Sequence, residues 1–295
     1  MEDTPKTKKE QFLDQLTDQK LLGQVICWRA EGPHPYANVK KALQEADLDE
    51  AVARERLPQH AFARAARSLS DDRVIDIIKT EKDEIVFQFT KKALDEDSEE
   101  GGHQWSFYKE AKVRLDKTTG KITCVKFPEL EKKAQQELDK HLQQRTTNDI
   151  SLIIQKQFER NADLIPFRDQ GGVYIVPIES RTFLDKIDNF LQKLGGSMKR
   201  LPIPAGDSKG DATFQSCLEE YLKDIVDRHK KSVSDFTPET KPTAAASIAE
   251  RINATKLKVE AYAHYLKDKS EGLLEMINET RTELVGKIQE MTRRE

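Results

Sequence analysis

At 295 residues the chain is long enough for about two domains. Charged residues (34%) nearly match hydrophobic ones (37%) and the net charge is −3 with both signs interspersed, so the overall basic excess of a dedicated polyanion binder is absent and extensive helical surface is expected. Cys27, Cys124 and Cys217 show neither metal-ligand spacing nor a disulfide framework, and no apolar run approaches the ~20 residues of a membrane helix or forms a signal-peptide core, which points to a soluble protein of the reducing cytoplasm.

In chain order, "GQVICWRAEG" (Gly23 to Gly32) predicts a first strand, broken by "PHPY". "YANVKKALQEADL" follows with Val39, Leu43 and Ala46 at helical spacing, and Asp49 can cap a short helix. Pro58 sits where a first helical residue tolerates proline, ahead of a stripe of Phe62, Ala65, Ala66 and Leu69. From Arg73 the apolar period changes to two. Two strands are expected around "TEKDE" and two more around "DKTTGK", where Gly120 can take a positive φ.

Pro128 opens a helical tract, and a second helix carries Ile150, Ile153, Ile154 and Phe158 on one face. "LIPF" and "GVYIVP" flank "RDQGG" as a hairpin. The next helix repeats Phe183, Ile187, Phe190 and Leu194 and stops at Gly195. "SMKRLPIP" returns as a strand, and a helix with Phe214, Cys217, Leu218, Tyr221 and Ile225 facing inward closes this part. Beyond the linker "DFTPETKPT", Ile252, Val259, Leu266 and Leu273 recur every seven residues, with Ile248, Thr255 and Tyr262 on the other seam position. After a four-residue slip, Ile277, Leu284 and Met291 continue the seam. One long helix fits this tail, and so do two with a bend at Gly272.

Candidate sites are few. Arg168 beside the Gly-Gly turn, with Lys199, Arg200 and Lys209, would form a nucleic-acid surface on a winged-helix-like hairpin at 162–196, although nine basic against seven acidic residues from Gln155 to Gly210 make no groove-binding excess. "AGDSKGD" lacks phosphate-loop spacing. The acidic run "LDEDSEEGGH" lacks the offsets of a calcium loop. Cys27 and His34 are the parts from which a hydrolase or transferase pair would be built, but Cys27 sits in an apolar run, where an inert thiol is usual. The other histidines are scattered singly, and no cofactor or metal is expected.

Taken in order, "ICWRAEGPHPYANVKKAL", "LPQHAFARAARSLS", "FRDQGGVYIVP" and "ERINATKLKVEAYAHYL" resemble an uncharacterised family of bacterial and phage proteins. The resemblance implies an early strand-and-helix unit, a Gly-Gly-Val-Tyr hairpin, a helical tail and a bacterial or phage origin; it carries no activity. The expected architecture is therefore α+β: a meander domain over 1–127, a central helix-hairpin-helix unit over 128–236, a linker at 237–242 and a coiled-coil-like tail over 243–295. The expected role is non-enzymatic assembly, with the tail seam (Ile248, Ile252, Val259, Tyr262, Leu266, Leu273, Ile277, Leu284, Met291) taking a second copy or another protein. Nucleic-acid association through the 162–196 hairpin is the alternative.

Overall fold

A computed structural model describes residues 20–70, 73–95, 104–168, 171–237, 240 and 242–292. In chain order its elements are β1 (Leu21–Arg29), β2 (His34–Pro35), α1 (Tyr36–Glu45), α2 (Pro58–Ser68), β3 (Arg73–Thr80), β4 (Glu84–Asp95), β5 (Gln104–Asp116), β6 (Ile122–Thr123) and α3 (Pro128–Gln143). There follow β7 (Gln144–Arg145), α4 (Thr147–Asn161), β8 (Ile165–Pro166), β9 (Tyr174–Pro177), α5 (Arg181–Lys193), β10 (Ser197–Pro204), α6 (Ser208–Ser234), α7 (Pro242–Ala261), the short α8 (Ala263–Leu266) and α9 (Lys269–Thr292). The fold is α+β with antiparallel pairing in the sheets, as the change of period at Arg73 predicts.

The chain divides into two compact units that interleave: 29–157 with 186–197, and 1–28 with 158–185 and 198–295. This replaces the expected succession of 1–127, 128–236 and a separate tail. The reason is long-range pairing. Gly23 to Ile26 of β1 lie opposite Pro177 to Tyr174 of β9, so the first strand leaves the meander and joins a sheet of order β10-β1-β9-β8. The approach there is close enough that a Cβ on Gly23 would sit 2.5 Å from the Val176 carbonyl oxygen, which is why glycine is required.

In the unit built around 29–157, β3-β4-β5-β6 form the predicted meander. Its strands alternate, so one face packs on helices, and among the described residues no helix covers the other, where Val86 and Gln88 are nevertheless buried. Ile85, Phe87 and Phe89 of β4, with Ala111, Val113 and Leu115 of β5, bury against Ala61, Phe62, Ala65 and Ala66 of α2 and Leu130, Ala134 and Leu138 of α3. The alanines let α2 lie close, and Phe62 meets Phe87 edge-on at 4.5 Å. Full burial of a side chain such as Phe62 stabilises the fold by about 2–3 kcal/mol. Asp116 closes the β5–β6 turn by accepting from the Thr118 and Thr119 N–H groups, and Gly120 takes φ +69° as expected.

The other unit holds a three-helix bundle of α6, α7 and α9. Lys269 reaches Glu219, and Lys287 donates to the Val233 and Ser234 carbonyls, so α9 runs parallel to α6. His229 meets Thr255, and Gln215 donates to the Leu266 carbonyl, so α7 runs antiparallel to α6. The tail is two helices, but the break is not at Gly272. It falls after Ala261 and again at Lys267, which takes φ +52°, and Gly272 lies inside α9.

Candidate nucleic-acid interface

The seam expected to take a partner is occupied by the chain itself. Ile248, Ile252, Val259, Leu266, Leu273, Ile277 and Leu284 are all buried, in one cluster with Phe214, Leu218, Leu222, Val226 and Val233 of α6. Tyr262 is half-buried against the same cluster, and the Met291 side chain lies outside the described residues. The seven-residue period is real, and within the chain its buried members pack on α6.

Of the four cations expected on the hairpin, two are held by neighbouring groups. Arg168 donates from Nε to the Gly171 carbonyl at 2.6 Å and closes its own turn. Lys199 and Arg200 are successive residues of β10 and so point to opposite faces; Arg200 pairs with Asp185 at 2.6 Å. Lys209 stands exposed in the first turn of α6, where Asp207 caps the helix by accepting from the Gly210 N–H. "AGDSKGD" is therefore a helix entry. His34 lies opposite Arg145 in the β2–β7 pair, and Cys27 is a half-buried free thiol of β1; they belong to different units. The middle of the acidic run between β4 and β5 lies outside the described residues. Among the described residues no three histidine, cysteine or carboxylate groups converge to hold a metal.

Two buried carboxylates look catalytic at first sight. Asp163 accepts from the Tyr221 hydroxyl at 3.0 Å and the Tyr262 hydroxyl at 2.6 Å, and pairs with Lys258. Burial and the Asp163 charge push both phenols well above the usual tyrosine range, which leaves them as fixed donors with no tendency to give up a proton. The cluster thus ties the segment before β8 to α6 and α7. Asp149 lies in the first turn of α4, where it accepts from the Thr146 N–H and hydroxyl, Arg56 at 2.7 Å and Arg64 at 2.8 Å. Burial raises its carboxyl, but the Thr146 N–H and Arg56 outweigh that and hold the pKa at about 2. It is a reinforced helix cap.

The uncovered face of the meander is different. On β5, Lys112 and Arg114 alternate with core residues and point away from α2 and α3. A β-bulge then changes the phase: Ala111 lies opposite Phe89, but Lys109 lies opposite Thr90, so Glu110 is the extra residue. Gln88 and Thr90 share the uncovered face, and Lys112 lies opposite Gln88, so the bulge brings Lys109 onto the face of Lys112 and Arg114. Phe107, opposite Lys92, follows onto the same face and is 59% exposed. Arg73 holds the bulged Glu110, and the Gln88 amide donates to the Phe89 and Ala111 carbonyls beside it.

These residues surround a cavity of about 330 Å³ lined by Gln88, Lys109, Glu110, Lys112, Arg114, Thr123 and Lys126, with Val125 and Phe127 as apolar rim. Val125 is 93% exposed. Between Gln104 and Phe127 the sequence holds Lys109, Lys112, Arg114, Lys117, Lys121 and Lys126 against only Glu110 and Asp116. Glu110 is committed to Arg73, and Asp116 to its turn. Among the described residues, Lys109, Lys112, Arg114 and Lys126 make no ion pair. The β5–β6 part of this face is thus locally basic, while Asp76 of β3, opposite Gln88, places an exposed carboxylate on the same face. Period-two reading alone places Lys109 and Phe107 with the core residues, which is why the sequence does not reveal this face.

Residues 21–294 match the model of the family described as "Family of unknown function (DUF6744)", and the chain belongs to it. No curated protein and no solved structure matches the chain. Among the described residues no helix is long and apolar enough to cross a membrane.

Proposed function

We infer that this member of a family of unknown function works as a non-catalytic binding protein, and that its ligand is nucleic acid held on the uncovered face of the β3–β6 sheet. The observation that carries this reading is the convergence of Lys109, Lys112, Arg114 and Lys126 on one cavity without an ion pair among the described residues. Cations left to solvent at one site are a standing attraction for phosphates. The interaction role expected of the tail moves to the sheet, because the tail seam is spent on the chain's own bundle. The reading also moves nucleic-acid contact away from Arg168, Lys199, Arg200 and Lys209.

The test is fluorescence anisotropy of labelled oligonucleotides with the full chain over a range of salt. Binding should weaken with a log–log salt slope of roughly −3, as expected for four cations meeting single-strand phosphates. The double variant Lys112→Glu, Arg114→Glu should lose tenfold or more in affinity, while reversal of Lys199 and Lys209 should change it less than twofold. No binding of any polyanion at ~50 mM salt removes the reading.

A further inference from the structure

We propose that the nucleic acid taken by this face is single-stranded, with one base stacked on Phe107 and the phosphates that follow running over Lys109, Lys112 and Arg114. The proposal rests on the nucleic-acid reading above and specifies its substrate.

The argument begins with the bulge at Glu110. Without it, the alternation of β5 would send Phe107 to the side of Ala111 and Val113. With it, Phe107, Lys109, Lys112 and Arg114 fall in one row along a single strand. At ~3.3 Å per residue, Phe107 to Arg114 spans about 23 Å, room for a footprint at the short end of the ~4–16 nucleotides usual for single-strand grooves. The row is aromatic at one end and cationic along the rest. A duplex can use only the cations, because its bases are stacked on one another inside. A single strand can use both, because its bases are free to leave the backbone and lie on a ring.

The cavity gives the same answer from a different direction. Its rim carries Val125 and Phe127, both exposed, against the cationic wall of Lys109, Lys112, Arg114 and Lys126. An apolar rim gives nothing to phosphate, so a purely electrostatic ligand leaves it wet. An unstacked base beside a phosphate satisfies both halves. The face is also a sheet and presents no helix for a major groove, the usual route to duplex sequence.

The experiment titrates the full chain with labelled 12-mers of oligo(dT) and oligo(U), a 12-base-pair duplex, and heparin. The expected result is that at least one single strand binds tenfold or more tighter than the duplex. Phe107→Ala should then weaken single-strand binding about fivefold or more, with the salt slope unchanged and heparin binding unaltered, and Phe107→Tyr should restore it. Phe107 is exposed, so the fold does not depend on it, and an unchanged thermal melt of the variant checks this. Duplex binding as tight as single-strand binding, or a Phe107→Ala chain that binds single strands as before, overturns the proposal while leaving the broader nucleic-acid reading standing. Failure of oligonucleotides and heparin alike at ~50 mM salt removes both.

Discussion

Arg73 grips Glu110 at two points, 2.6 Å from Nε and 3.1 Å from a terminal nitrogen. The pair joins the edge strand β3 to the bulge in β5 that turns Lys109 and Phe107 outward. It also keeps the carboxylate beside the cationic cavity neutralised. Both partners are partly screened by the protein, so the pair outweighs an ordinary surface ion pair in stability.

Glu110→Gln keeps the size and one acceptor of this side chain and removes its charge. The expected outcome is a loss of about 1 kcal/mol in urea unfolding together with two- to fivefold tighter oligonucleotide binding, since the cavity loses the only carboxylate among its described lining residues. Weaker binding in a variant that still melts near the native temperature would show that the negative charge is needed at the site.

The tail is a structural member of its unit. Truncation before Pro242 uncovers Phe214, Leu218, Leu222, Val226 and Val233 at once. We expect the truncated chain to lose cooperative unfolding by circular dichroism and to aggregate on size exclusion, instead of yielding a folded species of smaller assembly. A milder probe is Leu273→Ala, which should cost 2–5 kcal/mol in a chain whose mass by light scattering is unchanged. A drop in mass with intact unfolding cooperativity would reinstate the tail as a joint between molecules.

His229 and Asp149 both contribute to the response to acid. The Thr255 hydroxyl donates to the Arg251 carbonyl, which leaves its oxygen to accept from His229 Nε2 at 2.9 Å. Burial, then Arg251 and Arg228, lower its pKa below the ordinary histidine value. Below about pH 6.5 the unfolded chain takes up a proton that the fold resists, so this stability is full above that pH and declines as pH falls. Asp149 acts lower down: with its pKa moved from 3.8 to about 2, it contributes about 2 kcal/mol above pH ~4, lost as pH falls toward 2. Urea midpoints at pH 7.5, 5.5 and 3 should fall in that order. His229→Gln should flatten the first interval but not abolish its slope, because burial also lowers His141. An equal slope in the variant would clear His229 of the effect.

Much of this fold is legible in the residues, for identifiable reasons. Pro58 and Pro128 each open a helix, Gly195 ends one with φ +72°, and Gly120 turns the last hairpin, because each of these backbone states has few alternatives. The seam of Ile252, Val259 and Leu266 is equally plain as a wish for another helix. Its partner is not plain, since the stripe of Phe214, Leu218, Leu222 and Val226 satisfies it as well as a second molecule would. The pairing of β1 with β9 crosses some 150 residues and leaves no local mark. The uncovered basic face stayed hidden for the smallest reason, a single extra residue in β5 that reverses which side chains share a side.

The interleaving of the two units has a consequence for the birth of the chain. The stretch from 29 to 157 is synthesised as nearly one whole unit, with its meander and both covering helices drawn from neighbours in sequence. The unit that starts with β1 must wait for β9 and then for α9 at the far end. Val25 and Ile26 therefore emerge about 150 residues before Ile175 and Tyr174, their partners in β9. A chain truncated before α9 should keep the inserted unit's covering helices and lack the last helix of the other, which limited proteolysis of the truncated chain would check.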